Sequence, residues 1–522
     1  MKTKLVFACL LILTHFYSYT QGVGIGTITP HPSAQLDISN NAKGILIPRM
    51  TSAAVLSILS PAKGLMVYDT TKNELFVNMG TPVTPNWKSI ASNSSWSVNG
   101  NAGTNAATNF IGTTDNASLI FRIRNKQAGK IDSVSAHTFL GYKAGMNCAN
   151  TAISNTAIGN RALSATTTGH YNTAVGSYAL QNNTTGIFNS AFGVNALKDN
   201  VAGNFNTAFG EGSLEHNNGV SNTAFGNSTL TWNSTGFANT AIGSGALAFN
   251  ETGDLNVAIG RVALYKNTLG YNNVGAGFEA LTNNTTGFYN AAIGDASLRS
   301  NTTGTANTAC GSGALYATTL SSYNTALGYH AGFFNNLGWN NTLIGADANI
   351  NANGLFNGVA LGHSATILAS NQVRIGNSST TSIGGYTSWT NLSDGRYKKN
   401  IREEVKGLDF IMKLRPVTYQ LDVTKLSARL HESSEGREES GMDIAMAEKE
   451  SMIQSGFIAQ EVEQAAATLG YDFSGVDKPK NEDDLYGLRY AEFVVPLVKA
   501  VQELEHQVKD LQQQIEDIKK SN

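Results

Sequence analysis

Residues 239–255 read Asn-Thr-Ala-Ile-Gly-Ser-Gly-Ala-Leu-Ala-Phe-Asn-Glu-Thr-Gly-Asp-Leu, and Asn256 begins the same pattern again. The first glycine of this motif recurs along the middle of the chain at positions 141, 159, 176, 193, 210, 226, 243, 260, 277, 294, 311, 328, 345, 362 and 376. Successive gaps are 18, 17, 17, 17, 16, then eight of 17, then 14 residues. A period this regular indicates a solenoid-like array of stacked repeats.

Apolar residues mark two positions of each repeat. The residue before the glycine is apolar in most repeats, as in Ile158, Phe209 and Ile344, and we expect it to form the core. Cys310 occupies the same position, so we interpret it as a core residue and not as a reactive thiol. Leucine stands four residues after the glycine in ten consecutive repeats, from Leu163 to Leu315.

Polar residues fill the rest of the repeat. Asn stands four residues before the glycine twelve times running, from Asn155 to Asn341. The Thr-Thr-Gly and Asn-Asn-Thr segments are too short and too rich in turn residues for helices, so each repeat is predicted to hold two short strands and two turns. Stacked about 4.8 Å apart, fourteen such rungs give a β-roll shaft roughly 65 Å long, with ladders of Asn.

We expect most of the Asn and Thr side chains to face water and cap turns. An alternative is a flat Thr and Asn array that binds ice or ordered glycans. One rung buries little surface by itself, so lateral association of several chains would complete the core. The repeats resemble the head repeats of trimeric autotransporter adhesins and the shafts of phage tail fibres over residues 137–376.

Charge is scarce and unevenly distributed. Charged residues make up 14% of the chain, against about 25% in a typical soluble protein. Residues 391–522 hold 43 of the 74 charges, so we predict a domain boundary around 385–393. The 36 basic and 38 acidic residues nearly cancel, which gives no indication of a nucleic-acid partner or a polybasic membrane patch.

The amino terminus has the pattern of a secretory signal. Lys2 and Lys4 precede the apolar run Leu5–Leu13, which is shorter than the roughly 20 residues of a membrane span. We therefore predict a signal peptide over 1–20, removal near Thr20-Gln21, and a secreted or cell-surface protein without an integral membrane span. Residues 21–90 are predicted to form a small β region that resembles the amino-terminal segment of secreted tail-fibre-like proteins. Residues 91–136 are predicted to be a linker into a shaft over 137–385.

The sequence of the shaft gives little indication of a metal-binding site or of the active site of a carbohydrate-active enzyme. Five histidines fall at different phases of the repeat without partners at metal-ligand spacing, and we expect them on the surface: His137, His170, His216, His330 and His363. A secreted carbohydrate-active enzyme needs paired carboxylates, and the few acids of the shaft stand alone: Asp254, Glu279 and Asp295. We predict no metal and no cofactor, and the ligand of the shaft stays unassigned.

Three motifs follow the shaft in the charged region. They are Ser393-Asp-Gly-Arg-Tyr-Lys-Lys-Asn-Ile401, Leu414-Arg-Pro-Val-Thr-Tyr419 and Gly456-Phe-Ile-Ala-Gln-Glu-Val462. Together they resemble peptidase S74, the intramolecular chaperone at the end of endosialidase and other phage tail spikes, over about 391–510. The charged stretch Asp422–Ser451 is interpreted as an insertion. The resemblance implies an α+β domain over 391–495 that drives trimerisation and then cuts itself off.

The resemblance places a catalytic Ser-Lys dyad on Ser393 and Lys398. A hydroxyl is a poor nucleophile until a base takes its proton, and a desolvated lysine can be that base. We expect attack on the Leu392 carbonyl, because attack on the carbonyl of Ser393 itself would close a four-membered ring. A supporting set comprises Asp394, which would orient the dyad, with Arg396 and Asn400. The alternative is that Ser393 and Asp394 cap a turn while the lysines are solvated.

The carboxyl-terminal tail carries a heptad seam. Its apolar residues are spaced alternately by four and three: Leu497, Val501, Leu504, Val508, Leu511, Ile515 and Ile518. This spacing predicts a coiled coil over 496–522. Val at one seam position with Leu at the other favours dimers, whereas the family resemblance implies a homotrimer. The sequence thus predicts a mainly β fibre with a terminal chaperone domain.

Overall fold

The computed structural model describes residues 22–90, 100–105, 107–149, 151–334, 336, 338–432 and 442–521. The predicted signal peptide therefore lies outside the described residues. The chain forms two compact units, residues 1–112 and 113–522. As predicted, the protein is mainly β, with a solenoid of about 17-residue repeats followed by an α/β region that ends in a long helix.

The amino-terminal unit is a small β structure. Its four-stranded sheet consists of Arg49–Met50, Met66–Asp69, Glu74–Asn78 and Trp87–Ser89. Val23–Ile25 pairs in parallel with Leu36–Ile38. A short helix, Ser52–Leu56, begins where the Thr51 hydroxyl accepts a hydrogen bond from the Ala54 N–H. Its core is small and centres on Val55, Val67 and Phe76.

An antiparallel hairpin leads into the solenoid. Its strands are Leu119–Ile123 and Lys126–Asp132, and the second pairs with the first strand of the shaft, His137–Leu140. Part of the segment predicted as a linker is thus a β-hairpin on the first rung.

The solenoid is one long parallel ladder. Each strand pairs in register with the equivalent strand one repeat later. The strands of the ladder are His137–Leu140, Thr156–Ile158, Thr173–Val175, Ser190–Phe192, Thr207–Phe209, Thr223–Phe225, Thr240–Ile242, Val257–Ile259, Val274–Ala276, Ala291–Ile293, Thr308–Cys310, Thr325–Leu327, Thr342–Ile344, Val359–Leu361 and Val373–Ile375. Among the described residues, a second strand occurs only near the end of the shaft, where Asn349–Ile350 pairs with Thr366–Ile367. The prediction of two strands in every repeat is therefore wrong for most described rungs, in which turns replace the second strand.

The core of the shaft is made of alanine and leucine. In the three-residue strands from Thr156–Ile158 to Val359–Leu361 the middle residue, such as Ala174 or Ala241, points inward and is buried. The last strand differs, since its middle residue Arg374 is partly exposed. The leucine after the glycine, such as Leu247, packs with it. The residue before the glycine points outward because side chains alternate along a strand. The prediction that this position forms the core is wrong, and Cys310 is only partly buried.

The repeated glycine is required by both conformation and space. Gly176 has φ +138°, a value that side chains with a Cβ rarely adopt. A Cβ built there would lie 2.2 Å from the carbonyl oxygen of Gly193 in the next rung. Successive rungs thus approach through a column of glycine backbone, which explains the invariance of this position within the chain.

Asparagine forms a buried ladder instead of a wetted surface. Asn256 is fully buried, and its Nδ2 donates to the Gly270 carbonyl at 2.8 Å. Its Oδ1 accepts hydrogen bonds from the backbone N–H of Asn273 at 3.0 Å and from Nδ2 of Asn273 at 3.1 Å. The same pattern links most neighbours from Asn155 to Asn341. The expectation that these residues face water is therefore wrong.

A second ladder runs parallel to the first. Its members are Asn183, Asn200, Asn217, Asn233, Asn250, Asn267, Asn284 and Asn301, and each Nδ2 donates to a carbonyl of a nearby glycine. From Asn200 onward each Nδ2 also donates to Oδ1 of the preceding member. The two ladders satisfy the turn backbone inside a narrow core, where unpaired polar groups would be costly.

The carboxyl-terminal region is a small α/β structure. Its helices are Leu408–Ile411, Val423–Leu430, Met442–Ser451, Ala459–Thr468 and Val494–Ser521, with 3-10 turns at Gly395–Tyr397 and Tyr490–Phe493. Its strands pair as Val417–Tyr419 with Gln454–Gly456, and Val476–Asp477 with Gly487–Leu488. Phe410, Phe473 and Phe493 centre its core. Within the described ranges, no helix is long and apolar enough to cross a membrane.

Candidate functional site

A tight turn organises the first motif of the carboxyl-terminal region. The Asp394 side chain caps the 3-10 turn Gly395–Tyr397 by accepting the Arg396 backbone N–H at 2.9 Å. The Lys398 N–H then donates to the Gly395 carbonyl at 3.1 Å. This reversal of the chain brings the residues on its two sides, Ser393 and Lys398, next to each other.

The two residues of the predicted dyad are in direct contact. Lys398 Nζ donates to Ser393 Oγ at 2.8 Å, which is within the reach required for proton transfer. Both side chains are exposed in the single chain. A lysine becomes a base when burial favours its neutral amine, so this geometry supplies the contact but not the desolvation.

The supporting residues lie in the turn and just after it. The Asp394 carboxylate binds Arg396 through Nε at 3.0 Å and Nη2 at 2.6 Å, and no described hydrogen bond joins it to Ser393 or Lys398. The hydrogen bond from the Arg396 side chain lowers the pKa of the Asp394 carboxyl. Asn400 has a left-handed backbone with φ +54°, just after the turn. Leu392, whose carbonyl is the predicted target, is exposed.

The other two sequence motifs pair with each other. Val417–Tyr419 lies antiparallel to Gln454–Gly456, and Arg415 binds Glu461 with Nη2 2.5 Å from Oε1. The Arg415 guanidinium lowers the pKa of the Glu461 carboxyl. Motifs that are distant in the sequence thus form one folded unit.

Residues beyond the candidate cleavage point grip the last rungs of the shaft. Glu432 is buried and its carboxylate accepts hydrogen bonds from the backbone N–H of Ser378, at 3.0 and 3.1 Å, and from the Ser378 hydroxyl. The Glu432 carbonyl accepts the hydroxyl of Ser364 at 3.2 Å. Burial raises the pKa of the Glu432 carboxyl, against the lowering effect of its hydrogen bonds.

A second set of contacts lies near residue 481. Asn481 Nδ2 donates to the Leu368 carbonyl at 2.8 Å. Asp484 accepts Nε2 of Gln372 at 3.3 Å and lies 3.8 Å from Nη2 of Arg374. We call the contacts of Glu432, Asn481 and Asp484 with the last rungs the clasp. Sequence reasoning missed it, because its partners are 54 to 113 residues apart.

The terminal helix keeps its apolar seam unpartnered. Val494–Ser521 is attached to the domain at its start, where Ala500 is buried and Glu503 Oε2 accepts the Leu408 N–H at 2.7 Å. The seam from Leu497 to Ile518 is exposed in the single chain. The predicted helix is confirmed, and the predicted coiled coil stays a prediction.

The shaft residues considered for other chemistry have structural contacts. Glu279 binds Arg299, and Asp254 Oδ1 accepts the Phe237 N–H at 2.8 Å. His137 is buried, with Nε2 3.4 Å from Cys148 Sγ, so its expected surface position and lack of a cysteine partner are both wrong. His216 also has a carboxylate partner, since its Nδ1 lies 2.6 Å from Asp199. Across the described residues, no three potential metal ligands cluster.

Comparison with known proteins assigns both ends of the chain. Residues 24–107 match the phage tail like trimerisation region, and residues 393–471 match the chaperone of endosialidase family, peptidase S74. No curated protein matches the chain. With the solenoid between these regions, the findings support a trimeric protein with a chaperone domain. The chain thus matches a tail-fibre-like protein that carries a carboxyl-terminal S74 domain.

Proposed function

We propose that the protein is an exported homotrimeric, adhesin-like fibre whose S74 domain guides assembly and then releases itself by one cut between Leu392 and Ser393. The observation that carries the cleavage is the hydrogen bond from Lys398 Nζ to Ser393 Oγ at 2.8 Å. Export is supported by the signal-like segment at residues 1–20. The trimeric state is supported by the trimerisation region at 24–107.

The cut needs no group outside the chain except water. The neutral Lys398 amine takes the Ser393 hydroxyl proton while Oγ attacks the Leu392 carbonyl carbon. The bond from that carbon to the Ser393 nitrogen breaks, the nitrogen receives the proton from Lys398, and an ester joins Leu392 to Ser393 Oγ. Water then hydrolyses the ester, which leaves a carboxylate on Leu392 and a free amine on Ser393. The released fragment comprises residues 393–522.

Exposure of the dyad gives a reason for cleavage to follow assembly. In the single chain both side chains are exposed. Neighbouring copies that cover the turn would favour the neutral amine. The cut would then wait until three chains have met.

The terminal helix supplies a place for the three chains to meet. Its seam residues, such as Leu504, Leu511 and Ile518, are all exposed in one chain. A parallel coiled coil of three helices would bury them. Heptad rules alone favour a dimer, and the matched trimerisation region favours three strands.

Denaturing gels of four proteins test the cleavage. We expect the wild type to yield a fragment of 130 residues (393–522), and Ser393→Ala and Lys398→Ala to stay intact. Lys399→Ala is the matched control, since the adjacent lysine has no hydrogen bond to Ser393 among the described contacts, and it should cut like the wild type. Light scattering on Ser393→Ala shows whether an uncut trimer forms. An intact wild type, or a Ser393→Ala protein that cuts equally well, would refute the proposal.

A further inference from the structure

One column of the shaft surface is apolar on every rung. It consists of the outward residue that precedes each repeated glycine: Leu140, Ile158, Val175, Phe192, Phe209, Phe225, Ile242, Ile259, Ala276, Ile293, Cys310, Leu327, Ile344, Leu361 and Ile375. We name it the outer column. Its aromatic members stack, with ring centroids 5.5 Å apart for Phe192 and Phe209 and 4.7 Å apart for Phe209 and Phe225. Polar or charged side chains are absent from it, although the strand face on which it stands is not covered in the single chain.

We infer that the outer column is the surface through which the shafts of three copies pack against one another. This inference rests on the proposed homotrimer and names its contact face. Ten members of the column are more than one-third exposed. At about 80 Å² each they present roughly 800 Å², which equals what each partner buries in an interface of standard size.

Another exposed column of the shaft mixes apolar and polar residues, unlike the outer column. Four residues further toward the amino terminus, a second column contains the stacked rings of Tyr171, Phe188 and Phe205. It also contains Ser154, Ser221 and Asn272. A surface that accepts serine and asparagine can face water, whereas fifteen apolar residues in succession require a dry partner.

The face beside the outer column also suits packing between sheets. The other outward residue of each strand is small or β-branched, as in Thr207, Val257, Val274 and Ala291. These residues carry no charge, so the strand face can approach another without burying an ion. The lack of hydroxyls at Val257, Val274 and Ala291 interrupts any threonine array for ice.

A second copy of this chain is the occupant that the sequence supports. The column runs the length of the shaft, from Leu140 to Ile375, between a trimerisation region at 24–107 and a terminal helix with an open apolar seam. Copies that associate through the segments before and after the shaft in the sequence would bring equivalent residues of the column to the same level along the shaft axis. A separate protein would need a matching apolar surface of the same length.

Cys310 provides a natural reporter of this contact. It is a free thiol in the outer column. In a parallel trimer packed through this column, the three Cys310 residues face each other. We expect mild oxidation or a short bismaleimide to give a covalently linked dimer of the full chain on non-reducing gels. Cys310→Ser should lose that band.

The matched control moves the thiol to a turn on the same rung. Thr303 is exposed and lies outside the strand, so Cys310→Ser with Thr303→Cys should stay unlinked under the same conditions. Light scattering of the same samples gives the number of chains. A trimer in which Thr303→Cys links and wild-type Cys310 does not would overturn this inference alone. A monomer would overturn the proposed homotrimer together with it.

Discussion

Replacing one asparagine of the buried ladder tests whether these residues hold the shaft together. Asn256→Ala removes the acceptor for the Asn273 backbone N–H, at 3.0 Å, and the donor to the Gly270 carbonyl, at 2.8 Å. The Asn273 N–H lies where Asn256 is fully buried, so water cannot readily replace the lost acceptor. The Gly270 carbonyl keeps the hydrogen bond from Nδ2 of Asn267 at 2.8 Å. The substitution leaves the Asn239 Oδ1 partly satisfied, since it still accepts the backbone N–H of residue 256 at 2.9 Å.

One orphaned buried group, the Asn273 N–H, sets the size of the effect. Its loss costs about 1–3 kcal/mol, so local opening of the rung should become easier by roughly that amount. At about 1.4 kcal/mol per factor of ten, amide exchange of the rungs beside residue 256 should accelerate between about 5-fold and 150-fold. In a solenoid each rung contacts only its neighbours, so exchange near Thr173 should stay unchanged.

Hydrogen–deuterium exchange with mass spectrometry measures this effect rung by rung. Asn227→Ala is the control, because the Asn227 side chain is exposed. Its Nδ2 donates a long hydrogen bond, 3.4 Å, to the equally exposed Glu211 carboxylate. Asn256→Asp separates the two lost hydrogen bonds: its carboxylate restores the acceptor for the Asn273 N–H, and only the protonated acid can donate to the Gly270 carbonyl. Its protection factor, which is corrected for the intrinsic pH dependence of exchange, should therefore rise as pH falls. Exchange in Asn256→Ala within threefold of the Asn227→Ala protein would refute the role assigned to the ladder.

Three further changes test other parts of the structure. Gly176→Ala places a Cβ 2.2 Å from the Gly193 oxygen at φ +138°, so soluble yield and protease resistance should fall, while Gly384→Ala, with open space around it, should match the wild type. Burial lowers the pKa of His137 below 6.5, so its contribution to stability is complete above pH 6.5 and is lost as pH falls through its lower folded value. The melting temperature of the wild type should therefore drop as the pH is lowered below 6.5, and that of His137→Gln should drop less. Burial raises the pKa of the Glu432 carboxyl above 4.5, so its contribution to the stability of the clasp is complete below pH 4.5 and is lost as pH rises through the raised value. The protection factor of the Ser378 amide, which is corrected for the intrinsic pH dependence of exchange, should fall as pH rises in uncut Ser393→Ala, and adding Glu432→Gln should flatten that fall.

The repeat period is readable from the sequence, whereas the inside and the outside of the shaft are not. Spacing of the glycines predicts the solenoid, because only stacked equivalent residues give such regularity. Yet a strand of three residues such as Thr240–Ile242 offers either its middle residue or its ends to the core. The narrow core takes Ala241 beside Leu247, and the larger Ile242 points outward. Hydrophobicity alone favours the wrong assignment, because it ignores the room available inside one chain.

The two parts of the carboxyl-terminal site differ in how far sequence reveals them. Ser393 and Lys398 are five residues apart, and a family motif places both, so their contact was foreseeable. Asp394 was expected to orient them, but its carboxylate pairs with Arg396, whose Nη2 lies 2.6 Å from Oδ2. The clasp joins Glu432 to Ser378 across the candidate cleavage point. Neither residue stands in a recognisable local pattern, so only the fold brings them together.

Near-identical rungs also explain why a chaperone is needed at one end. Suppose that one shaft slides by a full rung, about 4.8 Å, along its neighbours. Ile242 would then lie where Phe225 was, and most contacts of the outer column would still join two apolar residues. The Asn and Gly columns lie within each chain and do not resist such a slip. The shaft by itself therefore specifies the contact face but only weakly the register between copies. Register has to come from segments that occur once, and the chain has these at 24–107 and at 393–471. Because the clasp fixes the S74 domain to the last rungs, three domains that meet would align three last rungs, and pairing would then spread along the columns in a single register.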